Sequence, residues 1–193
     1  AAPSLYAVLK DLKIIDQNLF LSDKTYWHPE KSIKGVDFQT GALGHGLPVG
    51  VGIAKYYKIN RINKWVVVMI GDGELNEGSI WESFLISKSW KLGNLIIIID
   101  NNKFQANDKT QKVLSLGNLK KKIISFGLKL IELNGHDYSN MEKKFSNLKK
   151  NNIPKVIIAN TKRNFGISSI QNRKTFWYVD KNEKKLEQFR DNL

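Results

Sequence analysis

Two short polar segments have the residue types of a magnesium and phosphate site. Gly71-Asp72-Gly73 sets one carboxylate between two glycines, and Asp100-Asn101-Asn102 follows later in the chain. Mg²⁺ takes oxygen ligands in near-octahedral order and commonly shares them with phosphates. Asp72 offers a carboxylate, Asn102 a side-chain carbonyl, and the turn after Asn102 a backbone carbonyl. Gly73, leading into a helix, would let backbone N–H groups approach a diphosphate.

Aliphatic runs place both segments at the ends of strands. Residues 65–70 and 95–99 are continuous apolar runs bounded by Gly, Asp and Asn, as in strands buried on both faces of a parallel sheet. We predict further strands at 128–133 and 155–159, and helices at 77–92, 119–126 and 138–150. This alternation predicts an α/β fold with an open, mostly parallel sheet and helices on both faces. Ligands bind such sheets at the carboxyl ends of strands, so Asp72 and Asn102 should face one small volume if their strands are close.

The rest of the chain is expected to complete one domain. Ser4 to Leu12 is predicted to be a helix, residues 16–39 to be irregular, residues 41–54 to be a loop leading into a packed helix, and residues 180–193 to be a charged helical tail. With 193 residues the chain is long enough for one substantial core and short for two, so we predict a single domain over 1–193. The chain starts at Ala1 without methionine, and we expect an N-terminal piece to be missing.

Each polar segment also has an ordinary structural explanation. A glycine-flanked aspartate after a strand is usually a turn, and asparagine tolerates left-handed turns. Only their joint position after two consecutive buried strands favours a metal and phosphate site.

Composition excludes several other classes. The formal net charge of +13 would attract nucleic acid, but the lysines are spread along the chain and no zinc-finger, RNP or GXXG signature gives that charge a geometry. We therefore expect no nucleic-acid partner. With no cysteine, disulfides and thiolate metal sites are excluded. No apolar run reaches the length of a membrane span, so we expect a soluble, cytoplasmic protein with no membrane partner.

The polar segments resemble a known cofactor motif. Gly71 to Glu82 (GDGELNEGSIWE), followed by Leu92 to Gln105 (LGNLIIIIDNNKFQ), is similar to the thiamin-diphosphate motif of transketolases, which opens with GDG and closes with an asparagine pair. The likeness extends to residues 28–30, 39–52, 126–127 and 134–137, and covers most of the chain from Ala1 to about Ser169. The length matches the N-terminal half of a transketolase, especially in families that split the enzyme into two subunits.

The resemblance implies a role for individual residues. It makes Asp72, Asn102 and the backbone carbonyl of Phe104 the protein ligands of Mg²⁺. The diphosphate would lie against Gly71, Gly73 and Glu74, and the pyrimidine side of the cofactor against Gly41 and Leu43.

Three further residues are implied to act on the sugar or at an interface. His28 matches a histidine that hydrogen-bonds the donor sugar, and a histidine can donate a hydrogen bond or shuttle a proton near neutrality. Glu77 and Glu82 match glutamates near the interface that links paired active sites and are counted with His28 as catalytic residues, although both could also be helix N-terminal and surface carboxylates. We assign His45 and His136 to loop and turn hydrogen bonding.

The implied activity is transfer of a two-carbon ketol unit from a ketose to an aldose, with thiamin diphosphate and Mg²⁺ as cofactors. In such enzymes a second domain supplies the glutamate that activates the cofactor, and nothing here resembles it. A C-terminal-type transketolase subunit is therefore implied as partner in a homo- or hetero-oligomer.

Three departures leave rivals open. Residues 162–166 read KRNFG where the family has a Lys-Gly-x-Gly stretch, and Phe176-Trp177-Tyr178 lacks the family's histidine. The histidine that stands upstream of Ala1 in the family is also absent. The rivals are another thiamin-diphosphate enzyme and a cofactor-binding subunit without catalysis.

Overall fold

A computed structural model describes residues 2–16, 28–106 and 108–166. These residues belong to two compact units, Ala1–Leu43 and Gly44–Leu193. None of the described helices has the length and apolar character needed to cross a membrane.

The first unit contains helix α1 (Ala2–Asp11) and an irregular segment. Leucine and tyrosine side chains recur on one face of α1, and Tyr6 and Leu9 are buried against Val36 from the irregular segment. The helix agrees with the prediction for Ser4 to Leu12. The predicted irregular structure is confirmed over 28–39, and its earlier part includes residues outside the described ranges.

The second unit alternates strands and helices. In chain order its elements are α2 (Gly46–Ile59), β1 (Val66–Gly71), a 3₁₀ turn (Gly73–Asn76), α3 (Gly78–Ser89), β2 (Leu95–Asn101), β3 (Phe104–Gln105), β4 (Asp108–Lys109), α4 (Thr110–Val113), α5 (Leu119–Ser125), β5 (Lys129–Asn134), α6 (Tyr138–Ser146) and β6 (Lys155–Asn160). Strands β3 and β4 form a small antiparallel pair of their own.

The main sheet has four parallel strands in the order β1-β2-β6-β5. In its register Ile70 pairs with Ile99 and Gly71 with Asp100, so β1 and β2 end together at the same edge. The neighbouring position of these two strands was the condition for a shared site at Asp72 and Asn102, and this condition is met.

Helices cover both faces of the sheet. On one face, buried residues of β1, β2 and β6 pack with apolar residues of α2, α3 and α5, including Leu47, Ile80, Phe84 and Ile123. On the other face, Met141 and Phe145 of α6 pack against Leu133 and Ile157. The predicted open, mostly parallel α/β fold with helices on both faces is confirmed.

Two of the predicted boundaries that differ from the observed ones have a clear cause in the structure. Strand β2 continues through Asn101, because Asn101 still pairs with Asn160 in the ladder with β6. Helix α6 ends at Ser146, well before residue 150, and the side chain of Asn147 caps it by donating to the carbonyl of Lys143. The predicted helical tail at 180–193 lies outside the described residues.

Candidate active site

The carboxylate of Asp72 contacts the loop that follows β2. Its Oδ2 accepts a hydrogen bond from the backbone N–H of Lys103 at 2.7 Å, and its Oδ1 accepts one from the hydroxyl of Thr110 at 3.1 Å. The backbone N–H of Asp72 donates to the carbonyl of Asp100 at 3.1 Å. The structure therefore brings the glycine-flanked aspartate against the asparagine-pair loop, as the parallel register requires.

Asp72 is a buried carboxylate in this arrangement. It is only 1% exposed, and burial raises its pKa above the ordinary value, with the negative charge of Asp100 adding to the increase. The N–H of Lys103 and the hydroxyl of Thr110 act in the opposite direction by stabilising the ionised form. Among the described residues no lysine, arginine or histidine forms an ion pair with Asp72.

Asn102 forms a compact turn after β2. Its Nδ2 donates to Oδ2 of Asp100 at 2.9 Å, and its Oδ1 accepts from the backbone N–H of Phe104 at 2.8 Å. Lys103 between them adopts a left-handed conformation with φ of 71°. The guanidinium of Arg163 lies 5.6 Å from the centre of the Phe104 ring. These contacts hold the loop in one defined path beside Asp72.

Gly73 is a position where a side chain has no room. An added Cβ would overlap Cβ of Gln105, so the turn after β1 packs directly on β3. Gln105 also presents a buried donor, because its Nε2 has no hydrogen-bond acceptor in the part of the chain that the structure describes. A buried donor without an acceptor is destabilising, and an oxygen atom of a bound ligand could satisfy it.

The side chain of Glu74 connects two loops. One carboxylate oxygen accepts from the N–H of Gly44 at 2.9 Å, and the other accepts from the N–H of Gly71 at 3.4 Å. The hydroxyl of Ser79 adds a bond to the carbonyl of Gly44 at 2.7 Å. In this geometry the side chain of Glu74 links the loop before α2 to the end of β1.

The oxygen-rich donor set fits a divalent cation. Asp72 is a buried carboxylate with no cationic partner among the described residues, and Asp100 at the end of the neighbouring strand adds negative charge without being counted as a ligand. Each carboxylate oxygen can accept more than one bond, so the contacts to Lys103 and Thr110 leave acceptor capacity. The described residues contain no group of three or more His, Cys, Asp or Glu that could hold a metal. A cation here would therefore need amide and backbone oxygens together with oxygens of its ligand, which is the usual environment of Mg²⁺.

Three of the predicted site residues, His28, Gly41 and Leu43, lie in the first unit. An added Cβ at Gly41, whose φ is 138°, would lie 2.9 Å from Cγ of His28. The glycine therefore packs directly on the exposed imidazole ring. Leu43 is 58% exposed, which leaves a large apolar side chain in solvent.

The remaining candidate residues lie on the second unit. Glu77 is the residue before α3, and Glu82 lies on an exposed position of that helix. His45 precedes α2, and its side chain makes no capping bond. The imidazole of His136 contacts the segment after β6 and not its own turn, because its Nε2 accepts from the N–H of Lys162 at 2.8 Å and its ring stacks on Phe165.

Two cavities lie away from the candidate site. One of about 310 Å³ is lined by loops that precede β1, β2 and β6, and the other of about 420 Å³ lies between β5 and α6. Their described lining residues include several lysines and no carboxylate. A cation site is therefore favoured at the opposite, carboxyl edge of the sheet, where the buried carboxylate lies.

Three residues that shape the site have no predicted role in the sequence analysis. Thr110 approaches Asp72 from 38 positions away, and nothing in its local sequence indicates this contact. Gln105 is the last residue of the segment Leu92 to Gln105 that resembles the cofactor motif, and the sequence gives no other indication of its contact with Gly73. Asp100 could have been recognised from the sequence, since it is a charged residue that directly follows the aliphatic residues of β2.

Comparison with known proteins identifies the family of this chain. Residues 5–193 match the family model described as transketolase, thiamine diphosphate binding domain. A relative from Actinobacillus succinogenes, named as one of the subunits of an apulose-4-phosphate transketolase, is 41% identical over 169 residues, which cover 85% of this chain and 61% of the relative. A second protein of that name, from Phocaeicola vulgatus, is 36% identical over 75% of this chain and 52% of the relative.

A solved structure has the same fold. Transketolase from Campylobacter jejuni superimposes with a TM-score of 0.70 at 32% identity, over 84% of this chain and 26% of that one. The chain thus spans about half to two thirds of the two curated relatives and about a quarter of the solved transketolase. Because the family model matches nearly the whole sequence, this chain belongs to the transketolase family, as its thiamine diphosphate binding domain.

Proposed function

We propose that the chain is the N-terminal-type subunit of a transketolase that transfers a two-carbon ketol unit from a ketose to an aldose, and that it needs a second subunit for activity. The observation that carries the proposal is the buried carboxylate of Asp72 against the loop of Asn102 at the shared end of two parallel strands. The family match over residues 5–193 extends over both compact units.

In this proposal the diphosphate end of the cofactor lies at the carboxyl edge of β1 and β2. Asp72, Asn102 and the backbone carbonyl of Phe104 would hold Mg²⁺, and Gly71, Gly73 and Glu74 would form the wall beside the diphosphate. When bound, thiamin diphosphate supplies the carbanion chemistry that breaks and forms the carbon–carbon bond. The protein residues supply charge balance and a fixed position for the reacting end.

The sugar side is assigned to the first unit. His28 is exposed and can donate a hydrogen bond to a sugar hydroxyl or move a proton at its imidazole nitrogen. Gly41 would set the position of that ring and, with Leu43, lie against the pyrimidine side of the cofactor. Glu77 and Glu82 are proposed to lie near the interface between paired active sites.

A second subunit is supported by the names of the relatives. Two of them are named as subunits of an apulose-4-phosphate transketolase, and another is named as one of a 6-deoxy-6-sulfo-D-fructose transketolase. This chain would then require the subunit that carries the activating glutamate. Sugar phosphates are the proposed class of substrate.

The test compares the chain alone with the chain plus its cognate second subunit. The protein alone should show negligible ketol transfer in the presence of thiamin diphosphate and Mg²⁺, and addition of the second subunit should restore turnover. Robust activity of the chain alone would refute the split-enzyme proposal. If the assembled pair binds the cofactor but transfers no ketol unit from any sugar phosphate, the non-catalytic alternative would be favoured.

A further inference from the structure

The carboxylate of Asp100 is held between two side chains at the end of β2. Its Oδ2 accepts a hydrogen bond from Nδ2 of Asn102 at 2.9 Å, and its Oδ1 accepts one from the hydroxyl of Thr161. The backbone of Asp100 lies in the ladder, opposite Gly71 of β1 and Ala159 of β6. Both the main chain and the carboxylate of this residue are therefore fixed by neighbours.

These bonds determine the direction of the Asn102 amide. An ionised carboxylate only accepts hydrogen bonds, so Asn102 must turn its NH₂ group toward Asp100. Oδ1 of Asn102 then points away from Asp100 and accepts a hydrogen bond from the N–H of Phe104 at 2.8 Å. That oxygen has two lone pairs, and one remains available for a cation.

We propose that Asp100 is a positioning residue for the metal site, which turns Asn102 so that its Oδ1, and not its NH₂ group, faces the cation held by Asp72. This inference rests on the proposed function, because it requires the divalent cation that accompanies thiamin diphosphate. Asp100 acts through Asn102 and is not itself a ligand. Thr161, which follows β6, holds Asp100 in place from the other side. Groups that orient metal ligands in this way typically change metal affinity by about 10- to 100-fold when removed.

A purely structural role for Asp100 makes a different prediction. If its carboxylate only completes the hydrogen bonds at a strand end, its loss should lower the melting temperature without changing how cofactor binding depends on metal concentration. If Asp100 orients Asn102, its loss should raise the metal requirement and leave the cofactor affinity at saturating metal nearly unchanged. The two roles are therefore separated by a titration.

The experiment uses Asp100→Asn in the full chain, assembled with its second subunit, with Mn²⁺ as the probe. Asparagine keeps the size of the side chain but can present either an oxygen or an NH₂ group to Asn102, so the amide of Asn102 loses its fixed direction. We expect the half-saturating Mn²⁺ concentration, followed by the electron paramagnetic resonance signal of free Mn²⁺ with thiamin diphosphate present, to rise about 10-fold or more. The dissociation constant for thiamin diphosphate at saturating Mn²⁺ should stay within about 3-fold of the parent value.

Matched variants make the result specific. Glu132→Gln removes the same charge from a partly buried carboxylate on β5 that pairs with Lys120, and should leave the Mn²⁺ requirement unchanged. Thr161→Val removes the hydroxyl that holds Asp100 and should raise the Mn²⁺ requirement, whereas Thr161→Ser keeps the hydroxyl and should restore the parent behaviour. A Mn²⁺ requirement for Asp100→Asn equal to that of Glu132→Gln would overturn the inference alone. Failure of the parent complex to bind Mn²⁺ and thiamin diphosphate would overturn the proposed function as well.

Discussion

The backbone N–H of Lys103 lies 2.7 Å from Oδ2 of Asp72, although 31 positions separate the two residues. This bond joins the turn after β1 to the loop after β2, the two segments on which the metal proposal depends. Because the aspartate is buried and has no ion pair among the described residues, its charge is balanced only by hydrogen bonds. A bound cation would balance this charge, which is why the metal proposal begins at Asp72.

Replacing Asp72 by alanine should abolish tight cofactor binding. The change removes the only carboxylate proposed to ligate the metal and leaves the diphosphate charge poorly balanced. We expect a loss of about 2 to 4 kcal/mol, or roughly 30- to 1000-fold in the dissociation constant, measured by calorimetric titration of the assembled complex with thiamin diphosphate and Mg²⁺. Asp137→Ala is the control, since Asp137 is also an aspartate after a strand but caps α6. Equal affinity in the Asp72 variant and the parent would show that the metal-site proposal is wrong.

Gly73→Ala should disturb the site through packing. The new Cβ would overlap Cβ of Gln105, so the turn after β1 and strand β3 must move apart. We expect at least about a 10-fold loss of cofactor affinity together with a lower melting temperature, since overpacking typically costs about 1 to 3 kcal/mol. Gly78→Ala is the matched control, because an added Cβ there meets no atom within 4 Å. An unchanged affinity in Gly73→Ala would contradict the proposal that this turn lies against the diphosphate.

His28→Ala should separate sugar chemistry from cofactor binding. The imidazole is proposed to contact the sugar and not the diphosphate, so cofactor affinity should stay within about 3-fold of the parent. Turnover with the second subunit present should fall by about 100-fold, in the range for loss of a group that donates or moves a proton. His45→Ala, which removes another exposed imidazole, should have little effect on turnover. A His28 variant with parental turnover would exclude the proposed role.

The buried lysine at the opposite edge of the sheet predicts a pH dependence of stability. Lys155 is 1% exposed, and its Nζ donates to the carbonyl of Gly93 at 2.6 Å and to Oδ1 of Asn151 at 3.0 Å. Burial, with a smaller contribution from the charge of Lys129, lowers the pKa of Lys155 from 10.5 to about 8. Between these two values the unfolded chain binds more protons than the folded chain, so the free energy of unfolding should rise as pH increases through this window.

Urea unfolding at several pH values from about 7 to 10 tests this prediction. The increase attributable to Lys155 should total no more than about 3 kcal/mol, since one pKa unit corresponds to about 1.4 kcal/mol. Lys155→Met should remove this contribution to the slope. Lys150→Met is the control, because Lys150 lies equally close to the Trp65 ring but is exposed. Parallel pH profiles for the parent and Lys155→Met would refute the assignment.

Several features of this protein follow from its sequence alone. The strands were predictable because Leu95 to Ile99 and the other aliphatic runs are continuous and bounded by turn residues, a local pattern that needs no knowledge of the fold. The glycine-flanked Asp72 and the asparagine pair, with the segments around them, resembled the transketolase motif, and the family match confirms that family. The parallel sheet then predicted that both segments would end at one edge.

Only the tertiary structure decided how that edge is built. The strand order β1-β2-β6-β5 places β6, the last strand in the described part of the chain, between β2 and β5, and this long-range pairing leaves no local signal. Thr110 reaches Asp72, Thr161 reaches Asp100, and Gln105 packs on Gly73 through contacts between distant segments. Periodicity and turn chemistry act over a few residues, whereas the direction of the Asn102 amide and the burial of Asp72 depend on which segments fold against them.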